Sequence, residues 1–291
     1  AYTLALFAQD EIKLLRNLQA LIGVRYIYHE NFKNHATPNV ALMYKPGKFN
    51  FRASYAAGFR TPTLSELYAT DIAKKNDRLT IGNLDLKPEK NNYFSLSAEY
   101  VHERFSVSVN AFYNNIRDMI DYNTIATGDK AMEQYGHKEV RQRDNIAEAK
   151  VHGINVSANA YLGAGFNLSG GYTHLNTQDV ELEQPIDKSI KNAYNINAQW
   201  AHSWKIYRLN INLNGRFNSK RFSKSYGYAP EYQLWDLNTR HSFNLKSVII
   251  EPGCGMENLF DYMDDRPYNS NYATLTPGRS FYISLSLKFK S

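Results

Sequence analysis

Aromatic, acidic and basic side chains occur together in several long polar segments, where they could bind a bulky charged solute by stacking and ion pairing. The segment 58–90 carries Tyr68, Asp71, Lys74, Lys75 and Arg78. The segment 117–146 carries Arg141 and Arg143. Later segments carry Arg221, Tyr226, Tyr228, Arg266, Tyr268 and Tyr272. We predict ligand contacts here; the alternative for each residue is a solvated loop side chain.

Neither a metal site nor an enzyme is predicted from the remaining reactive side chains. None of the eight histidines forms a close ligand pair such as His-x-x-x-His: His29, His35, His102, His137, His152, His174, His202 and His241. The sequence also lacks a Gly-x-Ser-x-Gly elbow, a phosphate-binding glycine loop and a Cys-x-x-Cys pair. We therefore expect no cofactor. A Ser–His–Asp hydrolase stays open as an alternative, because these residue types are plentiful.

Composition narrows the class of protein further. The chain has 291 residues, of which 43% are hydrophobic, and no stretch approaches the roughly 20 apolar residues of a membrane-spanning helix. The formal net charge is +6, but the 34 Lys and Arg residues are scattered singly along the chain. This distribution argues against a nucleic-acid partner. The single cysteine, Cys254, cannot form an internal disulfide.

The elements that must position these residues are strands, because apolar and polar residues alternate with a period of two, as in Leu209–Arg216. Such runs predict thirteen strands near 2–10, 18–28, 38–45, 49–57, 91–101, 104–116, 147–161, 165–177, 191–203, 206–217, 231–245, 248–258 and 278–289. Most match the roughly 9–11 residues of a tilted transmembrane strand. One short helix is predicted around Thr63 to Tyr68, with Pro62 at its start.

The predicted connections alternate between short turns and long loops, the asymmetry of an outer-membrane barrel. A soluble β-sandwich is the alternative, but its strands are usually about five or six residues long. The final strand follows a long loop, so it would run inward from the outer side. Because complete bacterial barrels have an even number of strands, a count of thirteen predicts that at least one strand lies outside this chain.

Four segments, in the same order, resemble motifs of TonB-dependent outer-membrane receptors. Gly58-Phe59-Arg60-Thr61-Pro62 is similar to the corner that ends a strand in that family. The segment 82–90 resembles its Gly-Asn-Pro-x-Leu-x-Pro-Glu box through Asn83, Asp85, Leu86, Pro88 and Glu89, although Leu84 replaces a proline. The segment 257–261 matches its Asn-Leu-Phe-Asp corner through Asn258, Leu259, Phe260 and Asp261. The last strand opens at 277–281 and has Phe289 near its end.

The resemblance implies an all-β fold, an antiparallel transmembrane β-barrel of about thirteen strands that forms part of a 22-stranded plugged barrel. Residues 1–291 would be the C-terminal part of the receptor barrel, without the N-terminal plug and about nine early strands. The implied location is the outer membrane of a Gram-negative bacterium. The implied function is active uptake of a metal chelate or corrinoid: a siderophore, vitamin B12 or haem.

The resemblance also implies partners and residue roles. The partners would be outer-membrane lipid and lipopolysaccharide, the TonB energy-coupling complex acting through the plug, the substrate and a surface lipoprotein. Arg60 and Asp85 would brace their corner, and Asn258 and Asp261 would form a turn. The interval Thr63 to Ile81 has no histidine, which weakens the case for haem. A self-contained passive porin remains the leading alternative.

Overall fold

Long β-strands account for most of the chain in a computed structural model that describes residues 2–224, 226–264, 276 and 278–290. The strands and two helices are β1 (Thr3–Leu15), β2 (Leu18–His29), β3 (Lys33–Tyr44), β4 (Phe49–Arg60), α1 (Leu64–Tyr68), β5 (Thr70–Ala73), β6 (Arg78–Ile81), β7 (Glu89–Val101), β8 (Phe105–Thr127), α2 (Gly128–Tyr135), β9 (Glu139–Gly163), β10 (Phe166–Asp179), β11 (Asn192–Trp204), β12 (Tyr207–Asn218), β13 (Arg221–Ser223), β14 (Gly227–Ala229), β15 (Tyr232–Asn244), β16 (Val248–Glu257) and β17 (Ser280–Phe289).

Thirteen of these strands form one continuous wall. Their order is β1-β2-β3-β4-β7-β8-β9-β10-β11-β12-β15-β16-β17, and neighbours in the wall are antiparallel. The number of wall strands and their order along the chain confirm the predicted β architecture. Each wall strand pairs with the wall strands that precede and follow it in the chain. This order is expected where each connection joins neighbouring strands at one end of the sheet.

The period of two gives the wall one polar and one apolar face. Hydroxyl groups meet across neighbouring strands on the polar face, with Ser54 Oγ 2.7 Å from Ser95 Oγ and Ser108 Oγ 2.7 Å from Ser157 Oγ. On the opposite face, Tyr55 and Phe94 are register partners whose rings lie 4.8 Å apart. A polar inner face and an apolar outer face are typical of outer-membrane barrels.

Connections are short at one end of the wall and mostly long at the other, as predicted. The largest errors in the predicted strand limits are at β8 and β9, which continue as a tall hairpin of 23 and 25 residues. Their predicted limits were 104–116 and 147–161. The extension carries mainly polar and charged residues, so it shows no apolar alternation; cross-strand pairing from Met119 to Thr127 holds it together instead. Only 128–138, which includes α2, connects the two strands. Strands β1 and β3 were also predicted too short, ending at 10 rather than 15 and beginning at 38 rather than 33.

The first long loop, 61–88, is ordered by its own small elements. Its helix α1 begins where the sequence predicted, but Thr63 is the N-cap, and Pro62 precedes that cap rather than starting the helix. Strands β5 and β6 form a hairpin, and β6 then pairs in parallel with β9 of the tall hairpin. These four-residue strands were not predicted, since they are too short for a periodic pattern. No helix in the described residues is long and apolar enough to cross a membrane.

Candidate functional site

The corner where β4 enters the first long loop is built around Arg60. Its Nε and Nη2 donate to the two carboxylate oxygens of Glu89 at 2.7 and 2.6 Å. Its Nη1 and Nη2 also donate to Glu66 at 2.9 and 3.1 Å. Glu66 closes a capping box with Thr63 at the start of α1, and Glu89 accepts the Ile120 N–H at 2.8 Å. One guanidinium therefore links β4, α1, β7 and β8.

The electrostatics of this corner favour full ionisation of all three groups. Burial alone would raise the pKa of both carboxyls, but hydrogen bonds from Arg60 and from backbone N–H groups outweigh that effect. The pKa of Glu66 falls to about 2, and that of Glu89 is also lowered. The pKa of Arg60 is raised mainly by its hydrogen bonds to Glu89 and, to a smaller extent, by those to Glu66. The three charges form a structural clamp.

The other motif residues of the first loop contribute mainly through backbone bonds and burial. Asn83 accepts the Asp85 N–H at 2.9 Å, and Leu86 and Pro88 are buried. The Asp85 side chain is exposed and makes no hydrogen bond or ion pair among the described residues, so the bracing expected of it is not seen. Asn145 braces this segment instead: its Oδ1 accepts the Lys87 N–H at 2.7 Å, and its Nδ2 donates to the Lys87 carbonyl at 2.9 Å. The sequence did not predict this role, because a single polar loop residue belongs to no recognisable pattern.

A second corner follows β16. Asn258 is 1% exposed and has a left-handed backbone (φ 51°); its amide bonds both backbone polar groups of Tyr262, at 2.7 and 2.9 Å. Asp261 accepts the Arg279 N–H at 2.7 Å, joining the corner to the segment before β17. Both side chains bond to backbone, the behaviour expected of turn formers. Phe260 is exposed and its ring lies 6.4 Å from that of Trp235.

Pairing of β6 with β9 brings together three candidate arginines from two loops. Arg78 is opposite Glu139, Thr80 is opposite Arg141, and on the other side of β9 Arg143 is opposite Tyr122 of β8. Directly paired residues and alternate residues of one strand share a face of a sheet. The set lies on a single face, which we call the arginine face: Arg78, Thr80, Tyr122, Glu139, Arg141 and Arg143.

Contacts within the arginine face fix two of its cations. The Arg143 guanidinium lies 3.6 Å from the centre of the Tyr122 ring and donates to its hydroxyl at 2.5 Å. Arg141 pairs with Glu139 at 2.5 Å. Arg78 is half-buried, and its Nε is a buried donor without a partner among the described residues. A buried unpaired donor is costly, so this nitrogen is an unsatisfied polar group within the arginine face. Sequence reasoning missed Tyr122, whose ring orients Arg143.

The other candidates of the first loop lie around this face. Asp71 shares it, since it is opposite Thr80 in the β5–β6 hairpin. Tyr68 ends α1 and is 62% exposed, while Lys74 and Lys75 are exposed in the hairpin turn. The hairpin is also attached to the tall hairpin by His137, whose Nδ1 is 2.9 Å from Asp77. Basic side chains therefore outnumber acidic ones near the arginine face.

The remaining candidates form a separate group. Arg221 and Tyr228 both lie in the β13–β14 hairpin, where Arg221 is opposite Ala229 and Tyr228 is opposite Phe222, against which it packs edge-on at 5.3 Å. That hairpin bonds to the loop before β11 through the Phe222 N–H and the Ser189 carbonyl, 3.0 Å apart. Tyr226 lies in the turn between β13 and β14 and is exposed. This group lies in β13, β14 and the turn between them, whereas the arginine face is formed by β6, β8 and β9. Arg266, Tyr268 and Tyr272 lie outside the described residues.

The described residues contain no group of three or more His, Cys, Asp or Glu side chains that could hold a metal ion. Histidine partners there are mostly amides and backbone carbonyls, for example His174 with Asn192 at 2.8 Å. None of those histidines bonds to a serine hydroxyl. The arginines and tyrosines of the described residues offer binding chemistry, through charge-assisted hydrogen bonds and ring stacking.

Comparison with known families agrees with this geometry. The model of the TonB-dependent receptor-like β-barrel matches residues 1–259. The chain belongs to this family. The motifs at Arg60, Glu89 and Asn258 that suggested it are the same residues that hold the two corners together.

Solved structures share the family's wall. A mutant of the ferric enterobactin receptor PfeA from Pseudomonas aeruginosa aligns with a TM-score of 0.78 at 20% identity, covering 99% of this chain and 45% of that one. The siderophore receptor PirA from the same organism gives 0.74 at 17%, covering 99% and 48%. The copper transporter OprC gives 0.74 at 12%, with the same coverage. At these identities the likeness establishes the fold, and the chain spans slightly less than half of each neighbour.

Proposed function

We propose that this chain is the C-terminal wall of a TonB-dependent outer-membrane receptor that takes up a ferric siderophore. The observation that carries the proposal is the arginine face, in a chain whose family is that of TonB-dependent receptors. Two loops that are distant in sequence place Arg78, Arg141 and Arg143 on one surface at the loop end of the wall. Ferric complexes of catecholate or carboxylate chelators are anionic, and guanidinium groups bind such oxygens strongly.

Among the substrates considered, a siderophore has the most support. The neighbours PfeA and PirA are named as enterobactin and siderophore receptors. Tyr122 adds an aromatic surface beside the arginines, suited to a flat catechol ring. Vitamin B12 is a weaker candidate because its corrinoid offers less negative charge for three arginines. Haem is weaker because the first long loop lacks a histidine ligand between Thr63 and Ile81.

The mechanism that fits is capture followed by energised passage. The outer loops would bind the chelate, and the TonB complex would act on a plug supplied by the rest of the receptor. The polar face of the wall, with its serine and asparagine side chains, would then provide exchangeable hydrogen bonds along the path. For example, Asn197 donates to Asn212 at 3.0 Å on that face. A surface lipoprotein could be a further partner, and the receptor would reside in the Gram-negative outer membrane.

Uptake by the complete receptor that carries this sequence tests the proposal. The receptor would be expressed in a Gram-negative strain without its own siderophore receptors, and accumulation of radioactive iron from ferric enterobactin would be followed with and without functional TonB. We expect TonB-dependent accumulation. Replacing Arg78, Arg141 and Arg143 by alanine should weaken binding by about tenfold for each lost charge-assisted contact.

The matched control removes the same charge at the other end of the wall. Lys48, Lys205 and Lys246 are exposed in short turns there, and replacing all three by alanine should leave uptake unchanged. Uptake of vitamin B12 or haem, but not of iron from the siderophore, would reject the substrate class. Uptake that is independent of TonB would favour a passive porin.

A further inference from the structure

Two ion pairs of this chain differ in their geometry and in what they connect. Arg60 binds Glu89 at two points and links β4 to β7. Arg141 binds Glu139 at one point only, through Nε and Oε1 at 2.5 Å, and both residues lie in β9. Two-point pairing is the stronger and more specific form. The pair of Arg141 and Glu139 joins no separate elements and is the easier of the two to open.

The strands around Glu139 do not rely on its carboxylate. Backbone pairing holds β9 on both sides, with Glu139 opposite Thr127 of β8 and opposite Arg78 of β6. The Glu139 side chain is 25% exposed and that of Arg141 is 33% exposed, compared with 15% for Glu89. An ion pair that holds no element in place and stays in contact with water can be exchanged at small cost.

Hydrogen-bond donors outnumber acceptors in the arginine face. Each guanidinium carries several N–H donors, but within the described residues Arg141 donates only to Glu139 and Arg143 only to the Tyr122 hydroxyl. The Nε of Arg78, opposite Glu139, is buried there without a partner. Glu139 is therefore an internal counter-ion of the face that satisfies a single donor.

We propose that Glu139 is an exchangeable counter-ion that sets how tightly the arginine face binds an anionic ligand and how quickly it releases that ligand. This inference rests on the proposed function, in which the ligand is a ferric siderophore. In the empty receptor the Glu139 carboxylate occupies Arg141 in the place of a ligand oxygen. An incoming anion must displace the carboxylate, which then repels the bound anion.

The same carboxylate favours release. Glu139 and Arg141 are 2 residues apart on one strand, so the carboxylate stays next to the guanidinium whether or not a ligand is bound. When the ligand oxygen leaves, Glu139 can pair with Arg141 again, and no unpaired charge remains in a partly buried position. Removing the carboxylate should therefore tighten binding mainly by slowing dissociation.

Binding of ferric enterobactin to the purified complete receptor tests this role, by fluorescence titration and stopped-flow displacement. E139Q keeps the shape of the side chain and removes its charge. We expect it to lower the Kd about fivefold, through slower dissociation, which is the range of a partly exposed ion pair. The unfolding midpoint should not change. The control E133Q removes an exposed acidic charge from α2, in the same loop, and should change neither constant.

A double-mutant cycle shows whether Glu139 acts through Arg141. R141A should weaken binding, and E139Q should give no further gain in that background. An equal gain in both backgrounds would overturn the proposal, because it would reveal a general charge effect rather than exchange at Arg141. Unchanged or weaker binding by E139Q alone would also overturn it, since Glu139 would then be neutral or would position Arg141 for the ligand.

A measurement without siderophore separates this proposal from the proposed function. Phenylglyoxal modifies accessible, unpaired arginines, and peptide mass spectrometry follows its reaction at Arg141. We expect faster labelling of Arg141 in E139Q than in the parent receptor, and stronger protection by citrate. Equal labelling in the two proteins would overturn the exchange. Failure of the parent receptor to bind ferric enterobactin, together with the expected labelling difference, would reject only the proposed function.

Discussion

Arg60 and Glu89 are register partners at the loop ends of β4 and β7, joined by two parallel hydrogen bonds of 2.7 and 2.6 Å. Planar two-point pairing of this kind is specific to arginine. Because Arg60 also holds Glu66 of α1, this pair fixes the first long loop to the wall. The arginine face depends on the same loop.

Replacing Arg60 by alanine should destabilise the first loop. It leaves Glu66 and Glu89, whose side chains are only 13% and 15% exposed, without their cation. We expect a loss of about 2 kcal/mol, below the roughly 3–5 kcal/mol of a fully buried pair, because Arg60 itself is 43% exposed. Thermal unfolding and protease cleavage within 61–88 measure the effect. K74A, in the same loop without a carboxylate partner, is the control, and cleavage equal to that of K74A would contradict the prediction.

Acidification should weaken the same clamp. The pKa of Glu66 is about 2 in the folded protein and 4.5 ordinarily. A carboxyl with a lowered pKa contributes stability that is present above its ordinary value and is lost as the pH falls through the folded value. The parent receptor should therefore be more stable than E66Q at pH 6. This difference should shrink as the pH falls from about 4.5 to about 2.

Unfolding midpoints at several pH values for both proteins provide this measurement. A gap between them that is constant from neutral to strongly acidic pH would show that the ionised Glu66 does not stabilise the loop.

Tyr122 and Arg143 should act on ligand binding as a unit. The guanidinium lies 3.6 Å from the ring centre, so Y122A frees Arg143 to adopt other rotamers, whereas R143A removes the guanidinium itself. We expect Y122A and R143A each to weaken binding of ferric enterobactin by about tenfold, and the double variant to be little worse than either. Fluorescence titration of the complete receptor measures all three. Fully additive effects would mean that the ring does not position the arginine.

Asn258 should be needed for stability rather than for binding. It is fully buried, and alanine would remove both of its bonds to the Tyr262 backbone while keeping the left-handed φ of 51°. We expect N258A to cost about 3 kcal/mol, from two unsatisfied backbone groups and backbone strain. The unfolding midpoint should fall while the affinity for siderophore stays unchanged. F260A is the control, because it removes an exposed ring at the same corner and should have little effect.

The wall of long strands could be predicted from the amino-acid sequence alone. Alternation of apolar and polar residues is a local property, and a strand with two different environments on its faces must show it. Thirteen strands and their alternating connections could therefore be predicted, and most of the predicted strand ends lie within a few residues of the observed ones. The turn at Asn258 could be predicted for the same reason, since its side chain bonds to the backbone of Tyr262, four residues away.

Contacts between residues that are distant in the sequence could not be predicted, because they depend on how the folded strands pair. The parallel pairing of β6 with β9 joins Arg78 to Glu139, and the Arg60 clamp joins residues 29 positions apart. Neither contact produces a periodic pattern in the sequence, because the same types of polar residue occur in loops whether their side chains are paired or solvated. Tyr122 and Asn145 were missed for that reason. The arginine face forms because strand pairing places its residues opposite one another. The register of that pairing is set by the folded backbone and cannot be predicted from local composition.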